Sequence, residues 1–251
     1  MRLLTFSDGF GDTTHSPLWY QQFYKWPDII KLMCKNIELV NLSRYGAGNE
    51  YIINALKQNY ANADFVIVQW AYPARLDLVL DHQDDCWQEQ IALDPVYSEN
   101  IVEINNDQYW LSSASTNPAV AQYHSTIALR QHQIRSQNYV DYAHRLLQDT
   151  PYRFMLCEDS LYLRETDVSP NSWCWHDEYL GMTSFKKISR YYKEDAKADV
   201  IQPISLVQFD FIRKYVQPCV DFPWRNEREI LAVENMLYKK YHDAIINKCS
   251  N

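Results

Sequence analysis

The run Phe65-Val66-Ile67-Val68-Gln69-Trp70 constrains the fold of this chain more than any other stretch. It is β-branched and aromatic almost without interruption, the pattern of a strand buried on both faces of a sheet. Such a strand needs a covering layer on each side, and the residues before it supply candidates. Leu3 to Ser7 is a short apolar run that ends in the turn signal Asp8-Gly9. Trp19 to Met33 has helix-like apolar spacing, with Pro27-Asp28 as an internal start signal. Ile37 to Leu42 reads as a second strand, and Glu50 to Tyr60 as a helix with Tyr51, Ile52, Ala55 and Leu56 on one face. Strand, helix, strand, helix, strand is the order that crossover connections and a parallel sheet require.

The remainder is less uniform. Asp77 to Pro118 is irregular, with Ile101 to Leu111 as a hairpin or lid. Ala119 to Gln148 is helical, Arg153 to Cys157 a fourth strand, and Asp167 to Gly181 irregular and aromatic. Asn226 to Asn247 closes the chain as an amphipathic helix with Ile230, Leu231, Val233, Met236, Leu237 and Tyr241 on one side. There is no internal repeat, low-complexity tract or linker. The expectation is one domain over residues 1–251. It is a three-layer, flavodoxin-like α/β fold, its mainly parallel sheet carrying helices on both faces, with an insertion or lid around residues 77–118.

Charge narrows the partners. The formal net charge of −8 disfavours a nucleic-acid backbone or an anionic membrane surface. No segment approaches ~18 consecutive apolar residues, the length of a membrane span. Met1-Arg2-Leu3-Leu4-Thr5-Phe6-Ser7-Asp8 turns polar too early for a signal peptide, so synthesis in a cytoplasm is expected. The six cysteines are widely spaced with no C-x-x-C pair, which reads as free thiols and no zinc site. No Gly-x-Gly-x-x-Gly or P-loop pattern follows the first strand, so no cofactor is expected. Four of the five glycines fall in two clusters, Gly9 with Gly11 and Gly46 with Gly48, each marking a turn. The 19 tyrosines and 8 tryptophans suit a large aromatic core, and any surplus at the surface suits protein or sugar faces.

In an open parallel sheet, ligands bind beyond the carboxyl ends of the strands. The loops there read Thr5-Phe6-Ser7-Asp8-Gly9-Phe10, then Asn41 to Asn49 around Gly46-Ala47-Gly48-Asn49, then Val68-Gln69-Trp70-Ala71-Tyr72-Pro73-Ala74-Arg75. In order and spacing they resemble the SGNH (GDSL-like) hydrolases. That family has a first strand entering Gly-Asp-Ser, a glycine-bearing second loop, a third strand ending in Gly-x-Asn, and Asp-x-x-His before the last helix. Gly46-Ala47-Gly48-Asn49-Glu50-Tyr51-Ile52 and Val66-Ile67-Val68-Gln69-Trp70 look like a variant seen among tailed-phage proteins. The resemblance covers the first 75 residues well and the last 30 loosely.

The same resemblance places Gly9 at the nucleophilic serine and Ser7 at the family's glycine. Gly46 falls at the oxyanion glycine, while Trp70, Ala71 and Tyr72 stand where Gly-x-Asn would be. Val220-Asp221-Phe222-Pro223 falls at Asp-x-x-His, with Phe222 at the histidine. The resemblance therefore implies a protein that has lost esterase activity. Its expected role is structural, or binding of protein or glycan, with incorporation in a phage virion. The alternative is an active carbohydrate or lipid esterase with a relocated serine, built from Ser7, Asp8 and His15, with Asp12 in the same loop. Against that stands the plainer reading of a turn capped by Asp8. The cleft would be lined by Gly9, Gly46, Asn49, Trp70 and Arg75. Arg75 and Asp77 orient a ligand there or form an ordinary ion pair. A second candidate, His176 with Asp177 in Trp173-Cys174-Trp175-His176-Asp177-Glu178, competes with a locally satisfied surface histidine. Asp81 to Asp85 reads as a solvated loop or a cation site.

Overall fold

A computed structural model describes residues 1–8, 11–12, 23–73, 75, 77–80, 101–104, 107–111, 122, 125–156, 172–174 and 205–249. Its main sheet has five parallel strands in the order β2-β1-β3-β7-β8. These are β1 (Arg2–Phe6), β2 (Glu38–Asn41), β3 (Phe65–Trp70), β7 (Tyr152–Leu156) and β8 (Ser172–Cys174). Register is continuous across the centre: Leu4 lies beside Val40 on one side and Val66 on the other, and Val68 lies beside Phe154. A separate antiparallel sheet has the order β4-β6-β5, formed by β4 (Asp77–Leu80), β5 (Ile101–Ile104) and β6 (Asp107–Leu111). Ile101 to Leu111 is thus a hairpin, paired through β6 to the strand that leaves the end of β3.

Period-two alternation sorts the sheet into two faces. Leu3, Ile67 and Met155 point to one side, under α1 (Trp26–Met33), α4 (Ser205–Phe211) and α5 (Glu227–Cys249). Leu4, Phe6, Val66, Val68, Trp70 and Phe154 point to the other, under α2 (Asn49–Asn59) and α3 (Leu129–Leu146). Every side chain of β3 from Val66 to Trp70 is buried, as the unbroken run demands. The chain is therefore a three-layer α/β fold with a parallel central sheet.

Local chemistry sets the helix ends. Pro27 and Asp28 occupy the first turn of α1, where a missing N–H costs nothing and a carboxylate meets the positive end of the helix. At α5, Asn226 Oδ1 accepts from Glu229 N at 3.0 Å while Glu229 Oε2 accepts from Asn226 N at 3.1 Å, a reciprocal capping box. The helix entry near Trp19 falls partly outside the described residues, and within them α1 starts at Trp26. Three elements are absent from the sequence reading. Strands β4 and β8 lie inside stretches read as irregular, and α4 continues into a five-residue π-helical turn, Ile212–Val216.

Candidate functional site

At the carboxyl ends of β1, β2 and β3 the alternation that buries Leu3 and Ile67 brings polar side chains inward on the α1/α4 face. The series is Thr5, Ser7, Asn41, Ser43 and Gln69. Thr5 Oγ1 donates to Asn41 Oδ1 at 3.0 Å, Ser43 N donates to the same oxygen at 3.1 Å, and Asn41 Nδ2 donates to Gly11 O at 2.8 Å. The Asn41 amide therefore ties β1, β2 and the first loop together. Ser7 Oγ donates to the Asp8 carbonyl at 2.9 Å and is hydrogen-bonded to Ser43 Oγ at 2.9 Å. Ser7 is fully buried, and none of its hydrogen bonds reaches a described histidine.

Gly11 makes this closure possible. A Cβ there would fall on the Ser7 hydroxyl, 2.6 Å from Ser43 Oγ and 3.1 Å from Trp26 Nε1. The requirement is space, since close approach of backbone to packed side chains is a second use of glycine beside special dihedrals. Gly46 shows the first use, with φ 82° in the turn before α2. The indole Nε1 of Trp26 is buried with no hydrogen-bond partner among the described residues.

Four charges surround this polar layer. Asp8, 1% exposed, receives Arg75 Nη1 at 2.6 Å. Asp12 Oδ2 accepts from Tyr45 N at 2.6 Å. Lys25, 2% exposed, lies in the field of Asp12, Asp8 and Asp28; burial nevertheless dominates and lowers its pKa to about 8. Asp8, Asp12 and Asp28 are the anions that act on Lys25, and Arg75 is the cation on Asp8.

Beside it, the second and third loops are bolted together. Asn49 Oδ1 accepts from Ala71 N at 2.7 Å, and Asn49 Nδ2 donates to Ala71 O at 3.1 Å and to Ser136 Oγ at 3.0 Å. Its whole amide is committed, so Asn49 is a bracket between loops. Helix α2 lacks a capping side chain at Gly48, and the carboxylate of Asp77 serves instead. Its oxygens accept from Gly48 N at 2.8 and 3.0 Å and from Tyr51 N at 2.7 Å.

The structure thus brings Ser7, Asp8, Asp12 and Arg75 together and adds Lys25, Asn41 and Ser43, which the sequence reading missed. The signal for two of them was available: Asn41 and Ser43 continue the period of β2 as polar positions beyond Leu39. Lys25 had none, because a lysine between Tyr24 and Trp26 reads as a solvated charge. Trp70 ends β3 at the carboxyl edge, but its ring is buried on the opposite face from Ser7, edge-on to Phe154 at 5.4 Å. It shares the parity of Val66 and Val68. Gly9, His15, His176, Asp177 and Asp81 to Asp85 lie outside the described residues. Among the described residues no three His, Cys, Asp or Glu side chains form a group suited to a metal, and no helix is long and apolar enough to cross a membrane.

Phe222 requires a correction. It packs edge-on against Phe65, the first residue of β3, with ring centroids 4.9 Å apart. Lys35 N donates to Pro223 O at 2.7 Å and Arg225 N to Met33 O at 2.8 Å, both between α1 and β2. Phe222 therefore stands at the amino edge of the sheet, where a residue cannot take a proton from the loop after β1. The helix that starts at the carboxyl edge is α4, whose Ser205 Oγ donates to Tyr24 O at 2.6 Å.

No family model and no curated protein matches this chain. Among solved structures, a crystal structure of a lipase from a goat rumen metagenome aligns over 85% of this chain and 96% of its own, at 10% identity and a TM-score of 0.41.

Proposed function

We propose that this chain is an SGNH-like protein without esterase activity whose filled carboxyl edge serves a structural or binding role. Its partner would be a protein or a glycan, within a tailed-phage virion. The observation that carries the loss of activity is the closure of the first loop. Ser7 is buried, bonded to Asp8 and Ser43, and packed by Gly11, while Asp8 is engaged by Arg75. An acyl transfer needs a nucleophile that substrate can reach, a base to take its proton, and donors for the oxyanion. Ser7 meets no base among its partners, and the Asn49 amide is already spent on Ala71 and Ser136. Gly9 has no side chain to offer. The virion and the partner class rest on the likeness of Gly46 to Ile52 and Val66 to Trp70 to phage variants, and on the aromatic content.

The test is incubation of the pure protein with a fluorophosphonate probe and with p-nitrophenyl acetate. Neither labelling nor turnover above the buffer rate is expected, and Gly9→Ser alone should restore neither. Turnover by the wild type that disappears in Ser7→Ala or His15→Ala would establish the relocated-serine esterase instead. Binding is read separately, by screening the labelled protein against immobilised glycans and against virion proteins. Silence in both screens would remove the binding role.

A further inference from the structure

Helix α5 is apolar on two sides, and the core uses one of them. Ile230 and Leu237 are buried, with Val233 and Tyr241 packed against the same cluster. On the opposite side Leu231, Ala232, Asn235 and Tyr238 form a stripe that runs from Arg228 at one end to Asp243 at the other, and all six are exposed. Leu231 is 53% exposed and Tyr238 57%. Single exposed apolar side chains are ordinary, but a row of them along one helix face marks a contact surface. Its charge fits a particular occupant. Glu227 and Glu234 of α5 are drawn to Arg213, at 2.8 and 4.0 Å, and Glu229 to Lys35 at 3.1 Å. The outer side keeps the cations Arg228 and Lys239 against the anion Asp243. On a chain of net charge −8, it is a face where two copies can meet without the general repulsion. We propose that this face of α5 pairs with the same face of a second copy, antiparallel, about a two-fold axis at Asn235.

The sequence of the stripe is self-complementary in that arrangement. The midpoint of Leu231 and Tyr238 and the midpoint of Arg228 and Asp243 fall on either side of Asn235, within one residue of it. A two-fold axis normal to the helices and to the line joining them keeps each edge of the stripe against its own counterpart. Leu231 and Tyr238 share one edge, so Leu231 of one copy meets Tyr238 of the other, twice. Arg228 and Asp243 lie toward the other edge, beside Ala232 and Lys239, so two ion pairs flank the apolar contact. Ala232 and Asn235 are small enough to let the helices approach, and Asn235 meets its own copy on the axis. A parallel pairing would instead oppose Arg228 to Arg228. The contact spans ~22 Å of helix, so the dimer is small, weak and reversible.

Sedimentation equilibrium of the full chain reads the pairing. The weight-average mass should rise from one copy toward two between about 1 and 200 µM. Leu231→Glu should move the midpoint up by about 10-fold or more, since it sets a charge in the apolar contact. Arg228→Asp and Asp243→Arg should each move it up by about 3–10-fold, and the double variant should return toward the wild type. These positions are exposed, and far-UV circular dichroism checks that each variant keeps its fold. A monomer throughout that range overturns the proposal. So does a dimer that Leu231→Glu leaves intact, which would use another face, and so does a double variant no better than either single one, which would deny the antiparallel register. A monomer that binds an immobilised glycan and loses it in Tyr238→Ala would give the stripe to a sugar and overturn the proposal equally.

Discussion

The two edges of the parallel sheet are built from opposite materials. The carboxyl edge buries charge and hydroxyls: Ser7, Asp8, Asp12, Lys25 and Ser43 are each under 10% exposed. The amino edge is aromatic, with Phe65 against Phe222, Phe222 against Trp224 at 5.3 Å, and Tyr152 against Phe154 at 4.9 Å. In an open α/β sheet the first edge is where ligands bind and the second is where stability is made. Here the described residues of the first edge are tied to one another by internal bonds. Burial of polar groups costs free energy unless each is matched, so such an edge is kept by geometry, whereas the aromatic edge is kept by area.

That contrast can be broken most forcefully at Phe222. Phe222→Ala should destabilise the fold by about 3–5 kcal/mol, since it empties an aromatic cluster that nothing nearby can refill. Urea denaturation measures this. Phe222→His should produce no esterase activity, because the imidazole would sit at the amino edge. Acquired turnover in that variant would mean that Phe222 belongs to the carboxyl edge after all.

The next largest effect is expected at Arg75. Arg75→Met leaves Asp8 buried with its direct cation removed, although Lys25 still acts on it from within. Breaking a buried pair from one side costs about 3–5 kcal/mol, and a partly exposed guanidinium lowers that to about 2–3 kcal/mol. A loss within the range of surface pairs, under about 1 kcal/mol, would show the carboxyl edge to be solvated and the contrast overstated. Gly11→Ala should follow at about 1–2 kcal/mol through overpacking of the Ser7 and Ser43 hydroxyls. Because the clash is with Ser7 first, Ser7→Ala should recover part of the loss. Full additivity of the two substitutions would place the strain elsewhere.

How far these edges can be read in advance depends on the signal each carries. Strands β1 to β3 and helix α2 were legible because their burial follows simple periods, and so was the parallel order they imply. Strand β8 is three residues long inside an aromatic stretch, too short for any period to show. Helix α4 runs seven residues into a π-helical turn, and a change of pitch at that point erases the 3.6 repeat. Phe222 was misplaced for another reason. A motif read along the chain carries no information about which end of the sheet it visits, and that is fixed by the direction of the helix before it. The charges of the carboxyl edge were half legible. Ser7, Asp8 and Arg75 follow strands, but nothing local predicts a buried Lys25, whose partners Asp8 and Asp12 lie in another loop.

The smallest expected effect separates the edges by pH. His144 on α3 is half-buried at the amino edge, its Nδ1 2.6 Å from the Tyr152 hydroxyl and its ring 4.6 Å from Phe154. Burial lowers its pKa below 6.5, with Asp141 opposing. The ring and the Tyr152 hydroxyl share one hydrogen bond, and its partial burial disfavours the charged form. The unfolded chain takes the proton first, so the stability His144 contributes is present above about pH 6.5 and declines as pH falls below it. Asp77 at the carboxyl edge has the opposite sign, contributing most at low pH and losing that as pH rises to about 7. Urea midpoints at pH 5 to 8 resolve the pair. His144→Gln, whose amide oxygen can still accept from Tyr152, should flatten the decline just below pH 6.5. Asp77→Asn should flatten the opposing one. Glu229, lowered by its bond to Lys35, is lost only below 4.5 and does not enter this window. A decline below pH 6.5 that survives in His144→Gln would assign it to another group, and the amino edge would then carry no proton-linked stability through this histidine.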